Sequence, residues 1–225
     1  MLEQLVALVV PPRCAACRAP ATSAADVLCD ACIHALPWLS APCCERCALA
    51  LPHAGRRCPA RDAAFDLAWS AVAFEGVARD ALHALKFAGA RPLAEVMAAQ
   101  IATRAPAALL AGAGTLVAVP AHPARLRSRG YDPADLLASA LARQTGLGRA
   151  RPLRRGTRAA RQVGASRDVR LEPGRLGFFA VAEAPIDVVL IDDVHTTGAT
   201  LHACARALRE AGAERVCAIT WARAP

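Results

Sequence analysis

Residues 188–200 constrain the fold more than any other part of the sequence. The first four, Val-Val-Leu-Ile, are apolar and mostly β-branched, which is typical of a buried strand in a parallel sheet. Two acidic residues, Asp192 and Asp193, follow directly, and a Thr-Thr-Gly turn and an alanine-rich helical segment come next. This order predicts an α/β fold with both carboxylates at the carboxyl end of a strand, where such sheets bind ligands.

The turn after the two acids has the composition of an anion site. Backbone N–H groups at the start of a helix point into the same crevice and bind anions there. A phosphate cradle beside two carboxylates that accept sugar hydroxyls describes a pocket for ribose 5-phosphate. The run is not a P-loop, because no Gly-Lys-Ser/Thr follows the strand. The alternative is an ordinary strand–turn–helix junction capped by an aspartate. The backbone N–H groups that are predicted to bind the anion belong to Thr196, Thr197, Gly198, Ala199 and Thr200.

The composition indicates a globular protein with one basic segment. The 225 residues, 55% of them hydrophobic, suffice for one α/β domain and a small module. The net charge is +8, and residues 149–175 carry nine arginines against two acids, a local balance of +7. A basic segment on a nearly neutral body predicts an anionic partner, such as pyrophosphate or nucleic acid.

The apolar stretches predict a cytoplasmic protein without membrane insertion. None reaches the roughly 18 consecutive apolar residues of a membrane span. The apolar run at residues 5–10 is too short for a signal sequence and leads straight into cysteines. In a reducing compartment, the ten cysteines of the chain favour metal binding over disulfides.

Eight of the ten cysteines lie before residue 60 and predict a zinc-ribbon module over residues 1–62. A Cys-x-x-Cys pair lets one turn present two thiolates to a zinc ion, and two pairs complete a tetrahedral structural site. Disulfide-stapled or redox-active pairs are the alternative. The complete first set consists of Cys14, Cys17, Cys29 and Cys32.

A second set of cysteines is incomplete. Arg61 stands at the position that would complete its last Cys-x-x-Cys pair. Cys43 or His53 is a candidate fourth ligand, and an empty second site is the remaining alternative. The three cysteines that are present are Cys44, Cys47 and Cys58.

Residues 63–225 are predicted to form a mostly parallel sheet flanked by helices. Asp132 and Pro133 are typical of an N-cap and a first helical position, and the arginine-rich residues 149–175 are expected to form a mobile loop with strand edges. Cys204 and Cys217 are expected in the core. The predicted strands cover 65–75, 116–119, 178–182, 188–191 and 215–221, and the predicted helices cover 77–88, 92–103, 133–145 and 199–211.

The chain resembles the ComF family, in which an N-terminal cysteine module precedes a type I phosphoribosyltransferase domain. Residues 188–200 resemble the loop that binds phosphoribosyl pyrophosphate (PRPP) in these transferases. The sequence departs from the family pattern at Asp132 (usually Asn), at Pro133 (commonly Gln) and at 173–174, where Asn is usual. The other matching motifs are the Cys-x-x-Cys pairs, Leu85-Lys86-Phe87, Val119-Pro120, Arg129-Gly130-Tyr131-Asp132, Gln162-Val163-Gly164 with Arg167 and Arg170, and Gly177-Phe178-Phe179.

The resemblance implies a type I phosphoribosyltransferase fold that binds PRPP with Mg²⁺. Asp192 and Asp193 would hold the ribose hydroxyls, directly or through the ion, as the catalytic residues. Carboxylates at the ribose and cations at the pyrophosphate would stabilise the opposite charges that develop as pyrophosphate leaves. His195, within the loop, is expected to face solvent. The candidate pyrophosphate contacts are residues 120–122, Lys86, Arg125, Arg127, Arg129 and Arg158.

The resemblance also implies a role in DNA uptake during natural transformation, beside a competence helicase and on single-stranded DNA. Since aromatic residues make up only 4% of the chain, contact with the phosphate backbone is favoured over base stacking. A nucleobase- or nucleotide-salvage phosphoribosyltransferase with an unidentified acceptor is the alternative. Pentosyl transfer by the chain and its oligomeric state both remain open at this point.

Overall fold

Arg158, a predicted pyrophosphate contact, lies outside the described part of the chain, and so do the motif residues Gln162, Arg167 and Arg170. The computed structural model describes residues 13–21, 23, 26–40, 42–53, 57–110, 114–156 and 177–225.

The described elements begin with a short helix in the cysteine module, α1 (Asp30–His34), and strands and helices follow it. The strands are β1 (Leu67–Ala73), β2 (Thr115–Ala118), β3 (Arg149–Ala150), β4 (Leu153–Arg155), β5 (Phe178–Ala180), β6 (Asp187–His195) and β7 (Arg215–Arg223). The helices are α2 (Gly76–Phe87), α3 (Leu93–Arg104), α4 (Ala107–Leu110), α5 (Pro123–Arg129), α6 (Pro133–Thr145) and α7 (Ala199–Glu210). Each predicted strand and helix is present, α6 with the predicted ends and the others with ends shifted by a few residues, whereas the pattern does not predict α1, α4 and α5.

In the described part of the chain, five strands form one sheet in the order β1-β7-β6-β2-β3, and each pairing in this sheet is parallel. The strands β4 and β5 form a separate antiparallel pair. The predicted α/β class and its parallel sheet are therefore confirmed. The type I phosphoribosyltransferase fold and the domain boundary after residue 62 stay predictions.

The sheet is buried on both faces, which explains the uninterrupted apolar run in β6. Val189 and Ile191 pack into the apolar cluster that holds side chains of α2, α3 and α6. Val188 and Leu190 point the other way, into a cluster with α7 and residues of the cysteine module. Cys204 and Cys217 are fully buried, as expected.

The strand order creates a crevice between β2 and β6. From β2 the chain proceeds through α5 and α6 to β3 on one side, whereas from β6 it proceeds through α7 to β7 on the other. Because α6 and α7 cover opposite faces, the carboxyl ends of β2 and β6 are left open between them. The strand β6 is longer than predicted, since its pairing with β7 continues through both acids to His195. Its pairing with β2 ends at Ile191.

The cysteine module joins the sheet at the outer edge of β1. The N–H of Leu39 donates to the carbonyl of Ala71 (3.0 Å), and the N–H of Ala73 donates to that of Pro37 (2.8 Å). The guanidinium of Arg104 lies 3.7 Å from the ring centroid of Trp38 in the same segment. Among the described residues, each helix is too short or too polar to cross a bilayer.

Candidate functional site

The crevice between β2 and β6 forms a cleft with a volume of about 830 Å³. Residues from the end of α2, from the loops after β2 and β6, and from α5 and β4 line it. Tertiary structure thus brings together side chains that are more than 100 positions apart in the chain. The predicted site residues that line this cleft are residues 120–122, Lys86, Arg125, Arg129, Asp192, Asp193, Thr196 and Thr200. Of the predicted loop, Thr197, Gly198 and Ala199 lie outside the lining.

The two adjacent acids differ in their contacts. Lys86 Nζ lies 2.6 Å from Asp193 Oδ1, with 21% and 10% of the two side chains exposed. The backbone N–H of Asp193 donates to Asp192 Oδ1 at 2.8 Å. Burial and the like charge of Asp193 raise the pKa of Asp192 well above its ordinary value, against the opposing effects of that N–H and of Lys86. The free protein therefore disfavours a second negative charge at Asp192 beside Asp193.

The loop between β6 and α7 presents backbone amides. Gly198 is the N-cap of the 12-residue helix α7 and has a φ of 79°. A Cβ atom at Gly198 would approach His195 Nε2 to 2.9 Å, so both the conformation and the space require glycine. Within the described part of the chain, the N–H groups of Thr196, Thr197 and Gly198 donate no hydrogen bond. Unpaired amides at a helix start are suited to binding an anion.

Asp132 connects the loop after β2 to the start of α6. Its Oδ1 accepts a hydrogen bond from the N–H of Ala134 (3.1 Å), which confirms the predicted N-cap. Its Oδ2 accepts from the N–H of Ala121 (2.8 Å) and so fixes residues 120–122. Burial raises the pKa of Asp132 although both N–H groups act to lower it. Asp132 also lines the cleft, a position that its capping pattern alone does not reveal.

The end of α2 is held in place beside the cleft. The hydroxyl of Tyr131 donates to the carbonyl of Leu85, the residue before Lys86. Phe87 lines the cleft with 73% of its surface exposed. The guanidinium of Arg129 lies 5.3 Å from the ring centroid of Phe87. The Leu85-Lys86-Phe87 motif therefore presents a cation and an aromatic ring on one wall.

The arginines that line the cleft differ from the arginines that the sequence predicts as pyrophosphate contacts. Arg127 is exposed and does not line the described cleft, whereas Arg125 and Arg129 of the same helix do. Arg155 lines the cleft with its guanidinium 5.0 Å from the ring centroid of Phe178. Arg155 was not among the predicted site residues, because its only signal in the sequence was its place in the basic segment.

The expectation that His195 faces solvent is wrong. The residue is only 2% exposed, and the ring of Phe65 lies edge-on at 6.1 Å between centroids. Burial, assisted by the positive charge of Arg223, lowers the pKa of His195 to about 4, so the ring is neutral at pH 7. Its Nδ1 has no partner among the described residues.

The first cysteine set forms a compact cluster. Its four Sγ atoms all lie within 4.8 Å of one another. Burial acts to raise the pKa of Cys14, but N–H groups, first that of Cys29, outweigh it and lower the pKa to about 6. Burial and the neighbouring thiols raise the pKa of Cys32. Four thiols at these distances fit a tetrahedral zinc ion. They belong to Cys14, Cys17, Cys29 and Cys32.

The second cysteine set repeats the backbone of the first. The N–H of Arg18 donates to the carbonyl of Cys14 (3.0 Å), and the N–H of Ala48 donates to that of Cys44 (2.8 Å). Both Arg18 and Ala48 have positive φ, 65° and 58°. In this repeat Cys43 matches Arg13, which is not a ligand position.

His53, and not Cys43, completes the second cluster. His53 Nε2 lies 3.1 Å from Cys47 Sγ, whereas Cys43 Sγ donates to the carbonyl of Ser40 at 3.3 Å. Burial and the neighbouring thiols raise the pKa of Cys47 to about 12, so a metal must displace its proton. Three thiols and one imidazole are a ligand set that zinc accepts. The four ligand atoms, all within 4.8 Å of one another, belong to Cys44, Cys47, His53 and Cys58.

Residues 5–61 match the family of double zinc ribbon domains. This match covers both cysteine clusters, so the predicted zinc-binding module is confirmed as a double zinc ribbon with a four-cysteine zinc site. No curated protein matches the chain.

Proposed function

We propose that the cleft binds PRPP with Mg²⁺ and that the chain is a ComF-like protein with a type I phosphoribosyltransferase domain. One observation carries the proposal: two adjacent carboxylates line a cleft between β2 and β6, and a loop with unpaired amides begins in this cleft at Thr196. A ligand with both sugar hydroxyls and phosphates would use both groups. The cleft also lies at the carboxyl ends of β2 and β6, which is where open parallel sheets bind their ligands.

The charges in the cleft suit the two ends of PRPP. Asp192 and Asp193 accept hydrogen bonds from the ribose hydroxyls, and the loop at 196–200 binds the 5-phosphate. Across the cleft, Arg129 and the loop at 120–122 bind the pyrophosphate. During pentosyl transfer the carboxylates stabilise positive charge at the anomeric carbon, while the cationic side chains stabilise the leaving pyrophosphate.

The donor set suits Mg²⁺. Carboxylate oxygens are hard ligands, and a cation beside Asp192 would oppose the burial and the charge of Asp193 that raise its pKa. Asp192 and Asp193 would hold the ion together with oxygens of the ligand. When bound, Mg²⁺ would supply charge neutralisation at the pyrophosphate. Lys86 pairs with Asp193 at 2.6 Å and so supplies one positive charge beside the two acids.

The proposal includes DNA uptake in natural transformation, in the cytoplasm, beside a competence helicase and single-stranded DNA. Its basis is the ComF resemblance, and the described part of the basic segment supports it. Arg149 and Arg151 share the single carboxylate of Asp135, at 2.6 and 2.8 Å. Two guanidinium groups on one carboxylate leave a net positive charge, which attracts a phosphate backbone.

A salvage phosphoribosyltransferase with an unidentified acceptor is the second candidate. The exposed ring of Phe87 favours it, because this ring lines the cleft beside Lys86 and is suited to stacking on a planar nucleobase. Under this alternative the same PRPP site is a true catalytic centre for base attachment.

Calorimetric titration of the full chain with PRPP, with and without Mg²⁺, tests the proposal. We expect PRPP binding to depend on Mg²⁺. The substitution Arg129→Ala should weaken this binding about tenfold or more. Arg127→Ala, on the same helix outside the described cleft, is the matched control and should leave the affinity unchanged. Turnover with a panel of nucleobases then separates the two candidates: release of pyrophosphate with one base favours the salvage enzyme, and binding without turnover favours the ComF-like role.

A further inference from the structure

Arg223, at the end of β7, joins two parts of the molecule that are far apart in sequence. Its side chain is buried, with 5% of the residue exposed. Nε donates to the carbonyl of Cys47 at 2.7 Å. Nη1 donates to the carbonyls of His195 (3.0 Å), Thr196 (2.7 Å) and Ala224.

Two of these acceptors, Cys47 and Thr196, belong to the two sites described above. Cys47 is a member of the second cysteine cluster, and Thr196 begins the loop with unpaired amides. A buried guanidinium is stable only when its N–H groups are paired, so each of the bonds is costly to break. The rigid planar fork of arginine fixes the relative positions of its acceptors better than a lysine could.

Contacts around Phe65 reinforce the connection between the second cysteine cluster and the loop at 196–200. The ring of Phe65 packs edge-on against His195, and Phe65 and Cys47 belong to one buried cluster. The side chain of Arg46, the neighbour of Cys47, ties the segment around Phe65 to the second half of the cysteine module. Arg46 does so by donating to the carbonyls of Ala60, Ala63, Phe65 and Asp66.

We propose that Arg223 is a positioning residue that couples the geometry of the loop at 196–200 to the integrity of the second cysteine cluster. Loss of metal from that cluster releases Cys47, weakens its hydrogen bond to Arg223 and loosens the loop. The consequence for PRPP rests on the proposed function, whereas the mechanical coupling does not.

The two cysteine clusters provide a matched comparison. The first cluster is coupled to a different region, since residues 37–39 of its half join the edge of β1 and Ala15, Ala16 and Arg18 lie beside α2. Cys58→Ser and Cys17→Ser each remove one zinc ligand, but only Cys58 belongs to the cluster that contacts Arg223. Both variants should lose one zinc per chain.

Hydrogen exchange in the full chain gives the direct readout. The N–H of His202 is bonded to the carbonyl of Gly198 (2.8 Å), and the N–H of Ala224 to that of His195 (2.9 Å), so both report on the loop. We expect Cys58→Ser to raise their exchange rates roughly 3- to 30-fold, a range typical of coupling between sites. Cys17→Ser should leave both rates unchanged. Equal rates in the two variants, with one zinc lost from each, would overturn the proposal.

A second variant covers the case in which Cys58→Ser fails to fold. Arg223→Met keeps both zinc ions in place and should raise the same exchange rates, and Arg223→Lys should have a smaller effect. Unchanged rates in Arg223→Met would also overturn the proposal. PRPP affinity, measured in parallel, should fall together with protection of the loop. If the unmodified protein does not bind PRPP, the proposed function fails, and the exchange rates still decide whether the coupling exists.

Discussion

Lys86 Nζ lies 2.6 Å from Asp193 Oδ1, so the only lysine of the chain pairs with one of the two acids in the cleft. The other basic residues of the chain, apart from its histidines, are arginines. A compact ammonium makes one short contact with a carboxylate, whereas a planar guanidinium needs more room and a bidentate partner. The pair joins the end of α2 to the end of β6 and places one positive charge beside two negative ones.

Lys86→Met should reduce PRPP affinity about tenfold or more and lower the unfolding temperature at pH 7. The substitution keeps the length of the side chain and removes the positive charge, which leaves Asp193 unpaired next to Asp192. Calorimetry and thermal unfolding measure the two effects. Arg79→Met, which removes an exposed charge paired with Asp80, is the control and should change neither. A variant that retains full affinity would show that Lys86 has no role in binding.

Asp192→Asn should raise the unfolding temperature of the free protein at pH 7 by a few degrees. Burial and Asp193 raise the pKa of Asp192 in the folded state. A group with a raised folded pKa contributes stability below its unfolded pKa, about 4, and loses that contribution as the pH rises through the folded value. At pH 7 the carboxyl group ionises freely in the unfolded chain, whereas folding disfavours its ionisation, so it costs stability that asparagine does not.

The pH dependence distinguishes this cause from a packing effect. The rise in unfolding temperature of Asp192→Asn should disappear below about pH 4, where Asp192 is protonated in the folded and the unfolded protein. Thermal unfolding between pH 3 and pH 8, with Asp135→Asn as a comparison, measures it. A gain of equal size at all pH values would contradict the electrostatic origin.

Local patterns in the sequence predicted much of the fold, because each depends on neighbouring residues. The run at 188–191 predicted a strand buried on both faces, and Asp132 with Pro133 predicted the start of α6. His195 was assigned wrongly because its surroundings come from Phe65, in a distant segment. Burial of one residue by another so far along the chain leaves no periodic signal.

The candidate site was predicted in part for the same reason. The acids and the loop at 196–200 are contiguous, so their spacing was informative. The pairing of Lys86 with Asp193 and the role of Arg223 depend on tertiary contacts, and Arg223 is one arginine among many. The choice between Cys43 and His53 became clear only from the folded structure, in which His53 joins the cluster and the Cys43 thiol donates to Ser40 instead.

Freshly purified protein should contain two zinc ions per chain by elemental analysis. His53→Ala should reduce the content to one, because His53 Nε2 lies 3.1 Å from Cys47 Sγ in the second cluster. Cys43→Ser is the matched control and should retain both ions. Chelation should unfold the cysteine module, which has little core of its own. Less than one zinc per chain in the unmodified protein would contradict both sites.

Replacement of Arg149, Arg151 and Arg154 by alanine should flatten the salt dependence of single-stranded DNA binding. Each lost phosphate contact lowers the slope of log K against log salt by roughly 0.7. Asp135→Asn should have the opposite effect, because Arg149 and Arg151 are then released from their shared carboxylate. Fluorescence anisotropy at several salt concentrations measures the slopes. A triple variant with an unchanged slope would exclude these arginines from DNA binding.

The double variant Asp192→Asn, Asp193→Asn tests the central claim most directly. Titration calorimetry with PRPP and Mg²⁺ should show binding to the unmodified protein and none to the double variant, because both carboxylates that line the cleft have lost their charge. Circular dichroism and a retained zinc content would establish that the variant is folded. Equal affinity of the two proteins for PRPP would contradict the assignment of this cleft as the PRPP site.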